Sequence, residues 1–258
     1  MARITALINQ KGGVAKTSTA QALATGLARQ GKHVLAIDCD PQGNLSFAMK
    51  ADETLAGLYE AFRGDASATD IIQKTEQGVD LMASSLDLAA ADMEFTRVGR
   101  EYMMRDICNA VSNSYDHIII DCPPALGVLT LNALTAATDI VIPVGLEVFS
   151  LQGLKQLFMT VDSVKRYCNP KLTVAGILIT RRGNRASLTR EFMEVIAQKS
   201  EELHVHLYQS VIREAVAVRE AQVMQESLFD SHPKAAVTMD YAAFIDEYLK
   251  QEEKQNAD

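Results

Sequence analysis

This chain of 258 residues lacks the features that mark metal-cluster, secreted and membrane-spanning proteins. Its 4 cysteines lie far apart without a C-x-x-C pair, so they form neither a zinc-site pattern nor a disulfide framework, and a reducing cytoplasm fits them best. No apolar run reaches the length of a membrane span, and a predicted strand begins where a signal peptide would lie. The formal net charge of -8 does not indicate a nucleic-acid binder.

The chain does contain enough apolar sequence for one core. Its apolar content is 48%, above that of disordered proteins, and its length suits one α/β domain. Short apolar strands alternate with helical patterns, which predicts an α/β fold with a mostly parallel central sheet and helices on both faces. We predict a single domain over residues 1–250 and a flexible acidic tail over 251–258. Strands are predicted at 4–8, 33–38, 79–83, 117–121, 139–144 and 173–180, with 52–112 otherwise mostly helical.

The standard phosphate-loop signature, G-x-x-x-x-G-K-[ST], is incomplete, because Gln10 and Ala15 stand at its glycine positions. In its place, an apolar run leads into N-Q-K-G-G-V-A-K-T-S over residues 9–18, and a helical pattern follows. That order suits an anion, because glycines let backbone amides turn toward it and the helix N-terminus adds partial positive charge. Lys16 can then reach the outer phosphates of a nucleotide, and the Thr17 hydroxyl can ligate magnesium. The alternative is a Gly-Gly turn with incidental lysines.

Two further predicted strands end in an aspartate. Asp38 ends one strand and is followed by Asp40 in a turn-rich loop, C-D-P-Q-G-N. Asp121 ends a wholly apolar strand and is followed by C-P-P. Ligands bind at the carboxyl ends of the strands in open α/β sheets, so we expect these carboxylates beside the loop at 9–18, with Asp121 beside magnesium. The alternative for Asp40 is a solvated turn in which its side chain caps the next helix.

Together these three segments resemble the ParA/MinD family of deviant Walker A ATPases, and within it the short partition ATPases. The resemblance extends from about residue 3 to about residue 245. It implies a P-loop NTPase fold, ATP and Mg²⁺ as cofactors, and slow basal ATP hydrolysis, since the chain shows no clear internal arginine finger. It also implies that two monomers sandwich two ATP molecules, with Lys11 reaching into the partner's nucleotide.

The same resemblance assigns roles to individual residues. The catalytic residues are Lys11, Lys16 and Asp40, of which Asp40 orients the attacking water. The metal-binding residues are Thr17, Asp38 and Asp121. The nucleotide-binding residues are Lys11, Gly12, Gly13, Val14, Ala15, Lys16, Thr17, Ser18 and, in the region of the family's adenine pocket, Arg213. Ala15 replaces a commoner glycine, and we expect its methyl group to weaken nucleotide binding or hinder dimer closure without abolishing binding.

Positive charge is concentrated in one tract, although the chain is acidic overall. Residues 163–220 hold ten Lys and Arg against six Glu and no Asp. Such a tract is consistent with an anionic partner. In the partition branch of the family, arginines in this part of the chain bind double-stranded DNA non-specifically when the ATP dimer forms, and the alternative is a solvated helix face and loop. The matching positions are Arg190 and, less directly, Arg181, Arg182, Arg185, Arg213 and Arg219.

The leading interpretation is a ParA-type ATPase that partitions DNA or positions another cargo. Its ATP-bound homodimer would associate with the nucleoid in the cytoplasm, and a ParB-like partner protein would stimulate hydrolysis and release it. No N-terminal helix-turn-helix domain is expected, which argues against operator binding. A membrane-cycling, MinD-like regulator of division-site placement is a second interpretation, which the acidic C-terminus disfavours. A third is a metabolic P-loop enzyme such as dethiobiotin synthetase or the nitrogenase iron protein, although the latter needs paired cysteines.

Overall fold

A central β-sheet runs through the part of the chain that the computed structural model describes, residues 1–146, 150–182 and 186–255. Its eight strands within those residues are β1 (Arg3–Leu7), β2 (Val34–Asp38), β3 (Ile72–Lys74), β4 (Asp80–Met82), β5 (His117–Asp121), β6 (Asp139–Gly145), β7 (Thr173–Arg182) and β8 (Leu207–Arg213). Their order is β3-β4-β2-β5-β1-β6-β7-β8, and every neighbouring pair is parallel except β3 with β4. The predicted α/β fold with a mostly parallel sheet is confirmed.

Helices cover both faces of this sheet. They are α1 (Lys16–Arg29), α2 (Asn44–Ala48), α3 (Leu58–Arg63), α4 (Ala91–Glu94), α5 (Met103–Val111), α6 (Val128–Ala136), α7 (Ser150–Tyr167), α8 (Ala186–Glu202), α9 (Val216–Met224), α10 (Leu228–Ser231) and α11 (Ala236–Gln255). Ile119 of β5 joins the buried cluster of α1 and α11, whereas Ile118 and Ile120 join the cluster of α5, α6 and α7. Adjacent residues of β5 therefore enter opposite layers, which is why the whole strand is apolar.

No helix in the described ranges is both long and apolar enough to cross a bilayer.

Residues 52–112 differ most from the prediction. Their helices are short, and β3 forms an unpredicted antiparallel pair with β4 at the edge of the sheet. A strand of 3 residues is too short to show a two-residue period, so the helical pattern around it dominated the prediction.

Helix α11 occupies positions that the sequence assigned to a flexible tail. The prediction placed the tail from residue 251, but the helix continues through Gln255. Gln251 explains the extension, because its side-chain amide donates to the Ala175 carbonyl at 2.7 Å and its oxygen accepts from the Tyr208 hydroxyl at 2.9 Å. Residues 256–258 lie outside the described ranges.

A buried polar cluster at the amino ends of the central strands fixes α11 to the sheet. The Arg3 guanidinium on β1 lies 2.7 Å from the Asp139 carboxylate on β6 and 4.2 Å from the ring centroid of Tyr248 on α11. The Tyr248 hydroxyl lies 2.7 Å from the hydroxyl of Thr5 on β1. These contacts lie at the opposite end of the strands from Asp38 and Asp121.

We expect acid to destabilise the fold because His117, the first residue of β5, is buried. Burial and the nearby charge of Arg3 lower the pKa of His117 to about 4 from its ordinary 6.5. As the pH falls from 6.5 toward 4, the unfolded chain takes up a proton before the folded one, so the free energy of unfolding decreases by about 3 kcal/mol. In urea unfolding across this range we expect His117→Gln to lack that part of the decrease. Identical pH profiles for both proteins would contradict a neutral buried imidazole.

Candidate functional site

The segment at residues 9–18 connects β1 to α1 through two left-handed residues. Gly13 has a φ of 73°, and Ala15, directly before α1, has a φ of 62° and a ψ of 32°. A left-handed conformation costs a residue with a Cβ about 1–2 kcal/mol, so the Ala15 position favours glycine. The carbonyl of Ala15 accepts the first helical hydrogen bond, from Thr19 N at 2.9 Å. The sequence deviates from the standard loop at a position where the backbone still adopts the glycine-like shape.

The N-terminus of α1 is open to an anion. The first amides of any helix have no intrahelical acceptor. Here Ala15 supplies no side-chain cap and the first turn contains no acidic residue, so neither compensates for them. Lys16, only 7% exposed, places its ammonium 3.1 Å from the Lys11 carbonyl. Burial lowers the pKa of Lys16, while the nearby acids, Asp121 foremost, oppose that shift. A buried ammonium at a helix N-terminus provides the charge that a phosphate would neutralise.

Two carboxylates lie side by side at the carboxyl ends of β2 and β5. Asp38 and Asp121 are paired in register, and both are fully buried. The Thr17 hydroxyl donates to Asp121 Oδ2 at 2.6 Å, whereas Asp121 Oδ1 is buried and has no hydrogen-bond partner among the residues that the structure describes. Burial, with Asp38 beside it, raises the pKa of Asp121 well above its ordinary value. A buried carboxylate oxygen without a donor is an available ligand for a cation.

Asp38 is satisfied by the protein itself. Its Oδ2 accepts from both the backbone N and the hydroxyl of Ser46 on α2, at 2.7 and 2.8 Å. Its Oδ1 accepts from Asp40 N at 3.2 Å. Burial raises the pKa of Asp38 to about 6 against these hydrogen bonds. Asp38 therefore anchors the loop that carries Asp40 and the start of α2.

A cavity of about 770 Å³ lies beside the phosphate-loop segment, within the size range of small-molecule sites, about 300–1,000 Å³. One end is polar and consists of the N-terminal turn of α1 with Asp40. The other end lies between α2, β8 and α9, where the apolar side chains of Phe47, Ile212 and Val218 line the cavity beside Arg213 and Arg219. Gln222 on α9 joins the two ends by donating to the Ser18 hydroxyl at 3.0 Å. The lining includes Gly12, Gly13, Ala15, Lys16, Thr17, Asp40, Phe47, Ala48, Pro124, Arg181, Ile212, Arg213, Glu214, Ala215, Val218, Arg219 and Val223.

The chain is similar to known proteins over most of its length. A family model described as an AAA domain matches residues 2–174. The sporulation initiation inhibitor protein Soj of Bacillus subtilis (strain 168) is 40% identical over 226 residues, covering 86% of this chain and 88% of Soj. The chromosome partitioning protein ParA of Caulobacter vibrioides (strain NA1000 / CB15N) is 36% identical over 265 residues, covering 99% of this chain and 97% of that protein. The chain belongs to the ParA/MinD family.

Membership in the ParA/MinD family confirms the resemblance drawn from the three motifs. A crystal structure of cobyrinic acid a,c-diamide synthase from Mycobacterium smegmatis, with bound ADP and magnesium, matches with a TM-score of 0.87 at 32% identity. The match covers 98% of this chain and 96% of that one. The P-loop NTPase fold therefore extends over nearly the whole chain.

The arginines predicted to bind DNA in this ParA/MinD chain lie in different environments. Arg181 and Arg219 line the cavity. Arg213 also lines it and forms a bidentate pair with Asp240, at 2.6 and 2.8 Å. Arg182 is exposed at the end of β7. Arg185 and the side chain of Arg190 lie outside the described part of the chain, so their contact with DNA stays a prediction.

Two residues that hold the phosphate-loop segment in place were not predicted from the sequence. Thr180 at the end of β7 donates its hydroxyl to the Val14 carbonyl at 2.9 Å. Asn9 donates to the Pro143 carbonyl at 2.7 Å and accepts from Lys11 N at 3.0 Å. Asn9 could have been found from its place at the start of the loop. Thr180 could not, because 166 positions separate it from Val14 and no spacing rule links them.

Proposed function

We propose that this protein is a ParA-type ATPase whose ATP-bound homodimer binds DNA and is released by partner-stimulated hydrolysis. The observation that carries the proposal is the position of Lys16. Its buried ammonium lies at the open N-terminus of α1, beside a carboxylate pair at the ends of neighbouring strands. Open helix amides, an ammonium and carboxylates converge there, as phosphoryl transfer requires. The 36% sequence identity with the chromosome partitioning protein ParA of C. vibrioides supports the biological role.

A nucleotide in this cavity would have its phosphates and its base at opposite ends. The triphosphate would lie at the polar end, against the amides of the loop and the Lys16 ammonium. The base would lie at the other end, against the apolar side chains of Phe47 and Val218, where its flat aromatic surface can be buried. The M. smegmatis structure binds ADP and magnesium, which supports the same ligand class here.

The residues present suit magnesium. No group of three His, Cys, Asp or Glu side chains gathers within the described ranges, which disfavours an all-protein metal cage there. Magnesium instead retains waters and uses one or two protein oxygens together with phosphate. Asp121, with its unpartnered Oδ1, and the Thr17 hydroxyl would hold the ion, while Asp38 would contact its waters. When bound, the ion would neutralise charge on the transferring phosphate.

The roles of the remaining residues follow from the proposed dimer. Asp40 lines the cavity and would orient the attacking water. Lys11 would contact the nucleotide of the partner subunit. Dimerisation would double the basic tract at 163–220, which is why DNA binding is proposed to require ATP.

A mobility-shift assay on unrelated duplexes tests the DNA step. With ATP we expect a shift that weakens steeply with salt and depends little on sequence, because phosphate contacts release counterions. Arg190→Glu is expected to weaken it by about tenfold, whereas Arg190→Lys keeps the charge and most of the affinity. Equal shifts with ATP, with ADP and without nucleotide would contradict the switch. Absence of a shift at low salt in every state would favour a non-DNA cargo.

A metabolic ATP-dependent synthase is the second candidate, favoured by the similarity to the cobyrinic acid a,c-diamide synthase of M. smegmatis. The two candidates differ in what accelerates turnover. ATP hydrolysis by a partition ATPase is slow alone and rises with DNA and a partner protein. A synthase would instead turn over when cobyrinic acid and an amide-nitrogen donor are added, without DNA.

A further inference from the structure

Two consecutive residues at the end of β7 hold two consecutive carbonyls of the phosphate loop. The Thr180 hydroxyl donates to the Val14 carbonyl at 2.9 Å, and this contact is fully buried. The Arg181 guanidinium donates through Nη1 to the Gly13 carbonyl at 2.7 Å. Both bonds come from the same strand end and reach a loop more than 160 positions earlier in the chain.

Arg181 is held in this position at a cost to its backbone. Its φ is 53°, a left-handed conformation that is unfavourable for a side chain other than glycine. Its Nη2 contacts Glu214 Oε1 at 2.9 Å, and Glu214 N in turn donates to the Arg182 carbonyl at 3.2 Å. Such strain persists where surrounding contacts over-determine the conformation, and it gathers at functional sites. The guanidinium therefore bridges the phosphate loop and the segment between β8 and α9.

Holding a carbonyl also fixes an amide. In a planar trans peptide the N–H of the next residue points opposite to the carbonyl. The bond from Arg181 to Gly13 therefore sets the direction of the Val14 amide, and the bond from Thr180 to Val14 sets that of the Ala15 amide. Gly13 is itself left-handed, and a methyl group on its Cα would lie 3.4 Å from Arg181 Nη1. Without the arginine, this flexible glycine would leave the peptide free to rotate.

We propose that Arg181 is a positioning residue that pre-forms the phosphate loop for its nucleotide. The proposal rests on the proposed function, in which this loop binds ATP. It changes the role that the sequence suggested for Arg181, because a side chain that bonds the loop carbonyl and Glu214 is engaged at the nucleotide cavity. A pre-formed loop binds phosphate without first losing conformational entropy, so losing Arg181 should weaken binding and leave the bound complex competent.

Titration with a fluorescent ATP analogue measures this directly. For Arg181→Ala we expect the Kd to rise by about tenfold, as for the loss of one charge-assisted hydrogen bond, with kcat at saturating ATP nearly unchanged. Arg181→Lys retains a donor for the Gly13 carbonyl and should recover part of the affinity. Lys171 is exposed and precedes the other end of β7 by two residues, so Lys171→Ala removes the same charge away from the cavity and should leave the Kd unchanged.

Further variants keep the outcome decisive. Thermal unfolding without nucleotide checks that Arg181→Ala is folded, and Glu214→Gln, which keeps Arg181 but weakens its anchor, should shift the Kd in the same direction by a smaller factor. Equal Kd values for wild type and Arg181→Ala would overturn the positioning role alone. A fall in kcat with an unchanged Kd would overturn it as well. Failure of the wild type to bind the analogue would instead overturn the proposed function, and this role with it.

Discussion

Lys16→Ala is expected to abolish nucleotide binding, raising the Kd for ATP by at least about 100-fold. The Lys16 ammonium is buried at the open end of α1, and in this structure it is bonded to the Lys11 carbonyl, an acceptor that a phosphate oxygen can replace. No other lysine lines the cavity among the described residues, so a neighbouring ammonium cannot substitute for it. Equilibrium titration of the variant with ATP and magnesium measures the change.

Lys11→Ala is the matched comparison, because it removes the same charge from the same loop. The proposed sandwich dimer places the Lys11 side chain at the partner's nucleotide, so this variant should bind ATP nearly as well as the wild type yet remain a monomer in light scattering. Its hydrolysis should also be lost. An equal loss of ATP affinity in both variants would show that Lys11 acts within its own subunit, which contradicts the sandwich.

The central part of the site could be predicted from the sequence because its signals are local. Apolar strands that end in Asp38 and Asp121 are short, continuous patterns, and the register pairs these two residues as the parallel arrangement requires. The loop at 9–18 was found although two glycines are absent, because the order of strand, glycines, lysine and helix remained. The left-handed backbone of Ala15 shows that the loop shape depends on more than glycine content.

The parts that could not be predicted depend on contacts between distant segments. The sequence predicted Arg181 to be one of the DNA-binding arginines of a basic tract, and only the fold brings it to the Gly13 carbonyl. Arg213 likewise pairs with Asp240 on α11, 27 positions later in the chain, so no local pattern links the two residues. The edge strand β3 escaped notice because its 3 residues show no period of their own. Short elements and long-range pairs carry little information in local sequence.

Asp40→Ala is expected to slow ATP hydrolysis by about 10²–10⁴-fold while leaving ATP binding intact, the usual effect of removing a group that assists proton transfer or orients water. Both backbone polar groups of Asp40 are hydrogen-bonded. Its N–H donates to Asp38 Oδ1 at 3.2 Å, and its carbonyl accepts from the Ser84 hydroxyl at 2.6 Å. The side chain accepts a hydrogen bond from Gln42 N at 3.0 Å and lines the cavity. A fixed backbone with an available carboxylate oxygen suits the positioning of water.

Asp40→Asn separates charge from hydrogen bonding, because its amide oxygen can still accept from Gln42 N. If the carboxylate charge is required, both variants should hydrolyse ATP equally slowly and accumulate as ATP-bound dimers in light scattering. Retained activity in Asp40→Asn alone would reduce the role of Asp40 to that of a hydrogen-bond acceptor. Wild-type turnover by Asp40→Ala would remove this residue from the chemistry. A monomeric Asp40→Ala at saturating ATP would contradict the sandwich dimer itself, because blocked hydrolysis should trap that state.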